Sequence, residues 1–305
     1  MNEKKELKSI KIVPYTLMNS SLSAVWGFVL AIILLIVAGT FSVMLPSDFS
    51  AFAGFLVALG VAGLVVFPVG SFLLSITQSF LYALIYNLLV PKLGGIKIEL
   101  AEMKEIIRAD VVPFALIIGG VSAVFQFITQ LVMVPLQYLI IEFAGNLAST
   151  MSSVTNSTST IPMSSLGAFS IFGAIINIIL TPIITFIMVF IGAVIVAFLY
   201  NLLAPKVGGI KLEFIESAHG FLGIKNVNSI SLGLITGIIG TVIGLIIGIL
   251  IFIILAIMGY ATAGIIILIT YTIGGFILLF ITYALTAVFY NFLAPKIGAI
   301  EIKLE

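Results

Sequence analysis

The chain has 305 residues, 62% of them hydrophobic and only 8% charged, with 13 Lys and Arg against 12 Asp and Glu. At a mean hydropathy of +1.35 it has far too few polar residues to coat a soluble domain, and it reads as a polytopic membrane protein. The same arithmetic excludes a disordered chain and a nucleic-acid binder with a basic face, and the lack of cysteine excludes a disulfide-stapled domain.

In chain order, Lys4, Lys5, Lys8 and Lys11 open the sequence, and Leu7 to Val13 is strand-capable. The first apolar stretch, 17–90, is interrupted at Pro46-Ser47-Asp48. Its first run, about 21–45, is too long for a cleavable signal peptide and lacks a small-residue cleavage site, so it reads as a signal anchor. Residues 51–90 as one straight helix would reach about 60 Å at 1.5 Å per residue, against a hydrocarbon core of roughly 30 Å. A break is therefore expected at Pro68: a half-helix over 51–66, re-entrant or interfacial, then one crossing.

A basic segment follows with Lys92, Lys97, Lys104 and Arg108, in which Ala101 to Ile107 reads equally as a strand or a short amphipathic helix. The second apolar stretch, 113–204, is interrupted by the Ser/Thr-rich 146–165, with a second half-helix expected over 166–181 before Pro182. Lys206, Lys211 and Lys225 precede the third stretch, 230–294, which is interrupted at Gly259-Tyr260-Ala261-Thr262, and Lys296 and Lys303 close the chain. The three interruptions hold no cation. Short loops with Lys and Arg stay cytoplasmic, which gives six crossings of the cell membrane with both termini inside.

The boundaries repeat. Tyr86-Asn87 leads through Pro91-Lys92 to Gly94-Gly95-Ile96-Lys97-Ile98-Glu99-Leu100, and Tyr200-Asn201 leads through Pro205-Lys206 to Gly208-Gly209-Ile210-Lys211-Leu212-Glu213-Phe214. The third copy runs from Tyr290-Asn291 through Pro295-Lys296 to Gly298-Ala299-Ile300 and Leu304. Lead-in segments match as well: Val13-Pro14-Tyr15 and Ser23 recur 99 positions later as Val112-Pro113-Phe114 and Ser122, while the third lead-in near Val227 lacks the proline. The expected architecture is all-α: six transmembrane helices as three parallel two-helix repeats over 1–100, 101–214 and 215–305. Each returning helix is expected to stop just before its proline, near Val90, Ala204 and Ala294. Period-2 segments such as Ile96 to Leu100 then pair with the lead-in segments as short cytoplasmic β-strands.

The unit of strand, helix, outer loop, helix and Tyr-Asn…Gly-Gly-Ile resembles an uncharacterised prokaryotic family, a two-helix transmembrane domain of unknown function, here in three tandem copies. The resemblance implies the membrane fold and brings no activity, cofactor or catalytic residue with it.

The sharpest candidate site is the triplet Asn87, Asn201 and Asn291. Two readings stand: a polar ring around a pseudo-threefold axis, or amides that cap their own proline-broken helix ends. Lys92, Lys206 and Lys296 read as contacts to lipid headgroups or as plain topology determinants. Gln78, Gln126, Gln130, Gln137 and Asn177 are the polar residues within apolar runs, and Gly233, Gly237, Gly240, Gly244 and Gly248 form a small-residue face suited to close helix packing. Asn156-Ser157-Thr158 in the outer loop is a glycosylation pattern.

Enzymatic chemistry finds no motif: the single His219 stands alone in a linker, no phosphate loop or paired acids are present, and no metal or cofactor site is expected. The expected function is a non-enzymatic structural or assembly subunit of a membrane complex. The expected partners are membrane lipid and other membrane proteins or further copies of itself, with no nucleic acid. The alternative is a passive pore or transporter along the pseudo-threefold axis.

Overall fold

The computed structural model describes residues 2–155 and 171–305, so Asn156 and the start of the segment 166–181 lie outside the described residues. The described residues form six strands and six long helices. In order these are β1 (Asn2–Ile10), α1 (Ile12–Met44), α2 (Ser50–Leu93), β2 (Ile96–Ala101), β3 (Glu105–Ala109) and α3 (Val111–Thr155). They continue with α4 (Ile171–Val207), β4 (Ile210–Glu216), β5 (Leu222–Val227), α5 (Ser229–Ile257), α6 (Ala261–Ile297) and β6 (Glu301–Leu304). All six helices are long and apolar enough to cross a membrane.

The half-helix expectation fails. Residues 50–93 form one 44-residue helix with Pro68 inside it, and α4 likewise runs through Pro182. A proline costs about 3 kcal/mol in a water-exposed helix, but a true break in lipid would expose several unpaired peptide groups at several kcal/mol each. Carrying the helix through with one hydrogen bond missing is the cheaper solution.

The helix ends move for a related reason. They continue past Pro91, Pro205 and Pro295 to Leu93, Val207 and Ile297. There the amides of Gly94, Gly208 and Gly298 close the last turn on the carbonyls of Val90, Ala204 and Ala294 at 2.9, 2.9 and 3.1 Å. These glycines have φ of +82°, +92° and +97°, a region that a residue with a Cβ rarely adopts.

Pairing of lead-in and trailing segments is present, and it goes further than expected: the six strands close into an antiparallel barrel in the order β1-β2-β3-β4-β5-β6. Leu7 faces Ile96 in β1–β2, Ile106 faces Ile210 in β3–β4, and Gly223 faces Glu301 in β5–β6. The hairpins β2–β3 and β4–β5 and the β6–β1 contact join these pairs into a ring. Residues 101–107, open between strand and helix in the sequence, belong to a hairpin whose turn puts Glu102 and Met103 at φ +51° and +54°. Alternation does the rest: Leu100 is fully buried while Lys97 is exposed.

Helices pack chiefly as α1–α2, α3–α4 and α5–α6. Neighbouring pairs meet through three apolar clusters: Ile85, Tyr86 and Val90 against Ile117 and Val121; Leu199, Tyr200 and Ala204 against Ile235 and Ile239; and Met18 and Leu22 against Tyr290 and Ala294. All three lie in the barrel-proximal half of their helices.

Candidate functional site

The Tyr-Asn dipeptides sit where the returning helices meet the barrel, and their hydrogen bonds explain why these two residue types stand together. The Asn87 side chain behaves as a second peptide group: its Oδ1 accepts from the Ile10 amide at 2.9 Å and its Nδ2 donates to the Ile10 carbonyl at 2.8 Å. Asn201 makes the same two bonds to Ala109 at 2.9 and 2.7 Å, and Asn291 to Val227 at 2.8 and 2.8 Å. Ile10, Ala109 and Val227 are the last residues of β1, β3 and β5, each still paired with the strand on one side, just before its helix begins. Only a primary amide offers a donor and an acceptor side by side for such a peptide group.

The tyrosines act three residues earlier on the same strands. Tyr86 donates its hydroxyl hydrogen to the Leu7 carbonyl at 2.6 Å and accepts from the Ile96 amide at 3.3 Å, so its oxygen is inserted between the two strands at their last rung. Tyr200 bridges the Ile106 carbonyl and the Ile210 amide, and Tyr290 bridges Ile224 and Ile300. All three rings are buried.

Two carboxylates complete the arrangement, and sequence reasoning missed them. Glu6 accepts from the Gly95 amide at 2.7 Å, and Glu105 from the Gly209 amide at 2.6 Å. The signal was available, since Glu105 follows Glu6 by the same 99 positions as the matched prolines. The Gly95 amide, helped by Lys8 at 3.1 Å, holds the Glu6 carboxyl below the usual carboxylate range. A Cβ on Gly95 or Gly209 would fall 2.1 or 1.9 Å from the carbonyl oxygen of Leu7 or Ile106, so the second glycine of each pair is required for close approach. The third junction differs in both partners at once: Ala299 replaces the glycine, and Gly223 stands in the place of the glutamate.

Bonds between pairs also recur. The amides of Lys11, Asp110 and Asn228, which immediately precede α1, α3 and α5, donate to the carbonyls of Glu301, Lys97 and Lys211 on the neighbouring pair's trailing strand, each at 2.9 Å. At one junction this is reinforced by Lys11 and Ser217, both 2.7 Å from Glu301, which hold that carboxyl below its ordinary range.

Lys92, Lys206 and Lys296 lie exposed in the last turns of α2, α4 and α6, with the Lys296 ammonium 3.2 Å from the Phe292 ring centroid. Gln126 and Gln130 are half-buried on α3, whereas Gln78, Gln137 and Asn177 are exposed. The glycine face of α5 packs against α6, where a Cβ on Gly244 would lie 2.1 Å from the Tyr271 carbonyl oxygen. His219 is exposed in the β4–β5 turn. Among the described residues no cluster of His, Asp and Glu has the makings of a metal site.

Residues 106–216 match the family model of a transmembrane domain of unknown function (DUF3566). The matched segment starts in β3 and ends with β4, and so takes in one strand–helix–helix–strand unit. No curated protein and no solved structure matches the chain.

Proposed function

We propose that the chain is a non-enzymatic membrane frame, an assembly subunit built from three tandem strand–helix–helix–strand repeats, with its barrel and both termini in the cytoplasm. The joints between repeats then fall in the turns at 102–104 and 217–221. Orientation rests on charge: every Lys and Arg lies at the barrel end, while Asp48 and Glu142 are the charged residues toward the other end. Lys92, Lys206 and Lys296 then stand at the inner headgroup layer of the cell membrane.

The observation that carries the frame reading is the chemistry of the seams between pairs. Their buried clusters are built from Ile, Leu, Val, Ala, Met and Tyr, and they lie in the barrel-proximal half. Both polar ends of each triplet asparagine are taken up by peptide groups, so these amides are braces and not the lining of a path. Toward the other end the pairs share no buried cluster among the described residues, which leaves apolar flanks for lipid and for helices of other membrane proteins or further copies.

A passive pore is the competing reading, favoured by the exposed Gln78, Gln137 and Asn177. Two measurements separate them. Proteoliposomes of a frame show no flux of ions, water or small polar solutes above empty vesicles, and mild-detergent purification retains a partner in fixed stoichiometry, read by mass spectrometry. Solute flux together with a chain that always purifies alone refutes the frame.

A further inference from the structure

Arg108 is the chain's single arginine; every other cation is a lysine. It projects from β3 next to the start of α3, is exposed, and makes no hydrogen bond or ion pair among the described residues. The corresponding positions before Ile10 and Val227 are Ser9 and Asn226, so the feature belongs to the α3–α4 pair alone.

Arg108 opens into a cleft of about 640 Å³ bounded by β2, β3, the first residue of α3 and the last turns of α4. One wall is apolar: Val111, Phe198, Leu202 and Pro205, of which Phe198 and Leu202 are exposed one turn apart on the outer face of α4. The opposite wall carries Arg108 and its cross-strand neighbour Glu99, whose Oε1 accepts from Asn2 at 3.1 Å and leaves Oε2 available. The cleft thus joins a lipid-facing helix surface to a charged pair at the level where the helices leave the membrane.

A planar guanidinium with five donors and weak hydration suits a phosphate, which it meets with two parallel bonds. The apolar wall selects a phosphate attached to acyl chains over free phosphate. Glu99 narrows the choice again, because a carboxylate beside the guanidinium repels a headgroup whose only charge is its phosphate, and accepts a hydrogen bond from one that ends in a primary ammonium. We propose that this cleft binds one aminophospholipid of the phosphatidylethanolamine class, phosphate on Arg108, ammonium on Glu99, and acyl chain along Phe198 and Leu202. The proposal depends on the membrane-spanning helices and not on the frame reading, so it stands or falls separately from it.

The test is native mass spectrometry of the full chain released from nanodiscs holding equal parts of phosphatidylethanolamine, phosphatidylglycerol and phosphatidylcholine. The wild-type chain retains one phosphatidylethanolamine in preference to the other two. Arg108→Gln lowers that retention about tenfold, and Arg108→Lys, which keeps the charge without the fork, falls between. Glu99→Gln keeps the phosphate contact and shifts the preference to phosphatidylglycerol, while Lys225→Gln, equally exposed on β5, leaves the pattern unchanged. Equal retention of the three lipids by the wild-type chain, an Arg108→Gln pattern identical to wild type, or displacement of the lipid by millimolar inorganic phosphate would each overturn the assignment.

Discussion

Replacing Asn201 with Leu separates an amide that braces the barrel from one that lines a path. Leu keeps most of the volume and removes both bonds to Ala109, which is buried, so its amide and carbonyl lose their only described side-chain partner. Two lost bonds are worth about 1 kcal/mol each, and stranding a buried donor or acceptor adds about 1–3 kcal/mol, less whatever water reaches the half-buried site. A destabilisation of about 2–4 kcal/mol follows, which at roughly 2 °C per kcal/mol for a chain of this size lowers Tm by about 4–8 °C.

The assay is thermal unfolding in one fixed detergent, followed through the fluorescence of Trp26, the single tryptophan, which donates to Thr286 across the α1–α6 seam and loses that environment when the seam opens. Asn201→Asp sharpens the result. It keeps the acceptor for the Ala109 amide but sets a carboxylate oxygen against the Ala109 carbonyl, so it is destabilising at neutral pH and milder in acid, once the carboxyl is protonated and donates. A shift below about 1 °C for each of Asn87→Leu, Asn201→Leu and Asn291→Leu would refute the bracing argument.

Three further outcomes follow from the geometry. Gly244→Leu drives a side chain into the Tyr271 carbonyl and destabilises the α5–α6 pair by about 3 kcal/mol or more, whereas Gly274→Ala, which meets no atom within 4 Å, changes Tm by no more than a degree or two; equal effects in the same melting assay would contradict the packing. Glu102→Asn with Met103→Gly places the residues favoured at two consecutive positive φ values and raises stability by about 1–2 kcal/mol, checked by denaturant or thermal melts. Glu6 and Glu301 are held ionised in the fold, so their stabilisation is complete above the ordinary carboxylate range near 4.3 and declines as pH falls through their lowered values. Glu6→Gln therefore lowers stability at pH 7 and flattens the acid limb of a Tm-against-pH curve, and an unchanged limb would rule out Glu6 as a contributor.

Much of the fold was legible because membranes make sequence patterns blunt. Six apolar spans and the one-sided cations follow from the cost of burying charge, and the alternation in Ile96 to Leu100 and Ile210 to Phe214 announces strands. What stayed hidden has physical reasons. The partners of Asn87, Asn201 and Asn291 are backbone atoms, and a peptide group at Ile10, Ala109 or Val227 leaves no trace in the identity of its side chain. Leu222 to Val227 reads Leu-Gly-Ile-Lys-Asn-Val, without clean alternation, so a strand there was expected only by analogy with the first two lead-in segments, and the closure of the ring was out of reach. Pro68 misled because the rule for proline was learned in water, where a broken helix has solvent to bond and continuity is worth less.

The third helix pair shows how one architecture tolerates the loss of a conspicuous contact. It lacks the carboxylate-to-amide bond that Glu6 and Glu105 supply, and it lacks the lead-in proline. Its trailing strand keeps the Ile224–Ile300 backbone bond and the bridge through Tyr290. Its helices also approach closely at many points: a Cβ on Gly240 would lie 2.6 Å from the Gly275 carbonyl, and Gly233, Gly237 and Gly248 are similarly crowded by α6. Between helices in lipid no hydrophobic force exists to draw them together, so this backbone-to-backbone packing is itself a principal source of cohesion. The α5–α6 pair is therefore held along its length by glycines, while α1–α2 and α3–α4 gain an added hold at their roots from Glu6 and Glu105. Replacing both root carboxylates, Glu6→Gln with Glu105→Gln, must then loosen the first two pairs before the third.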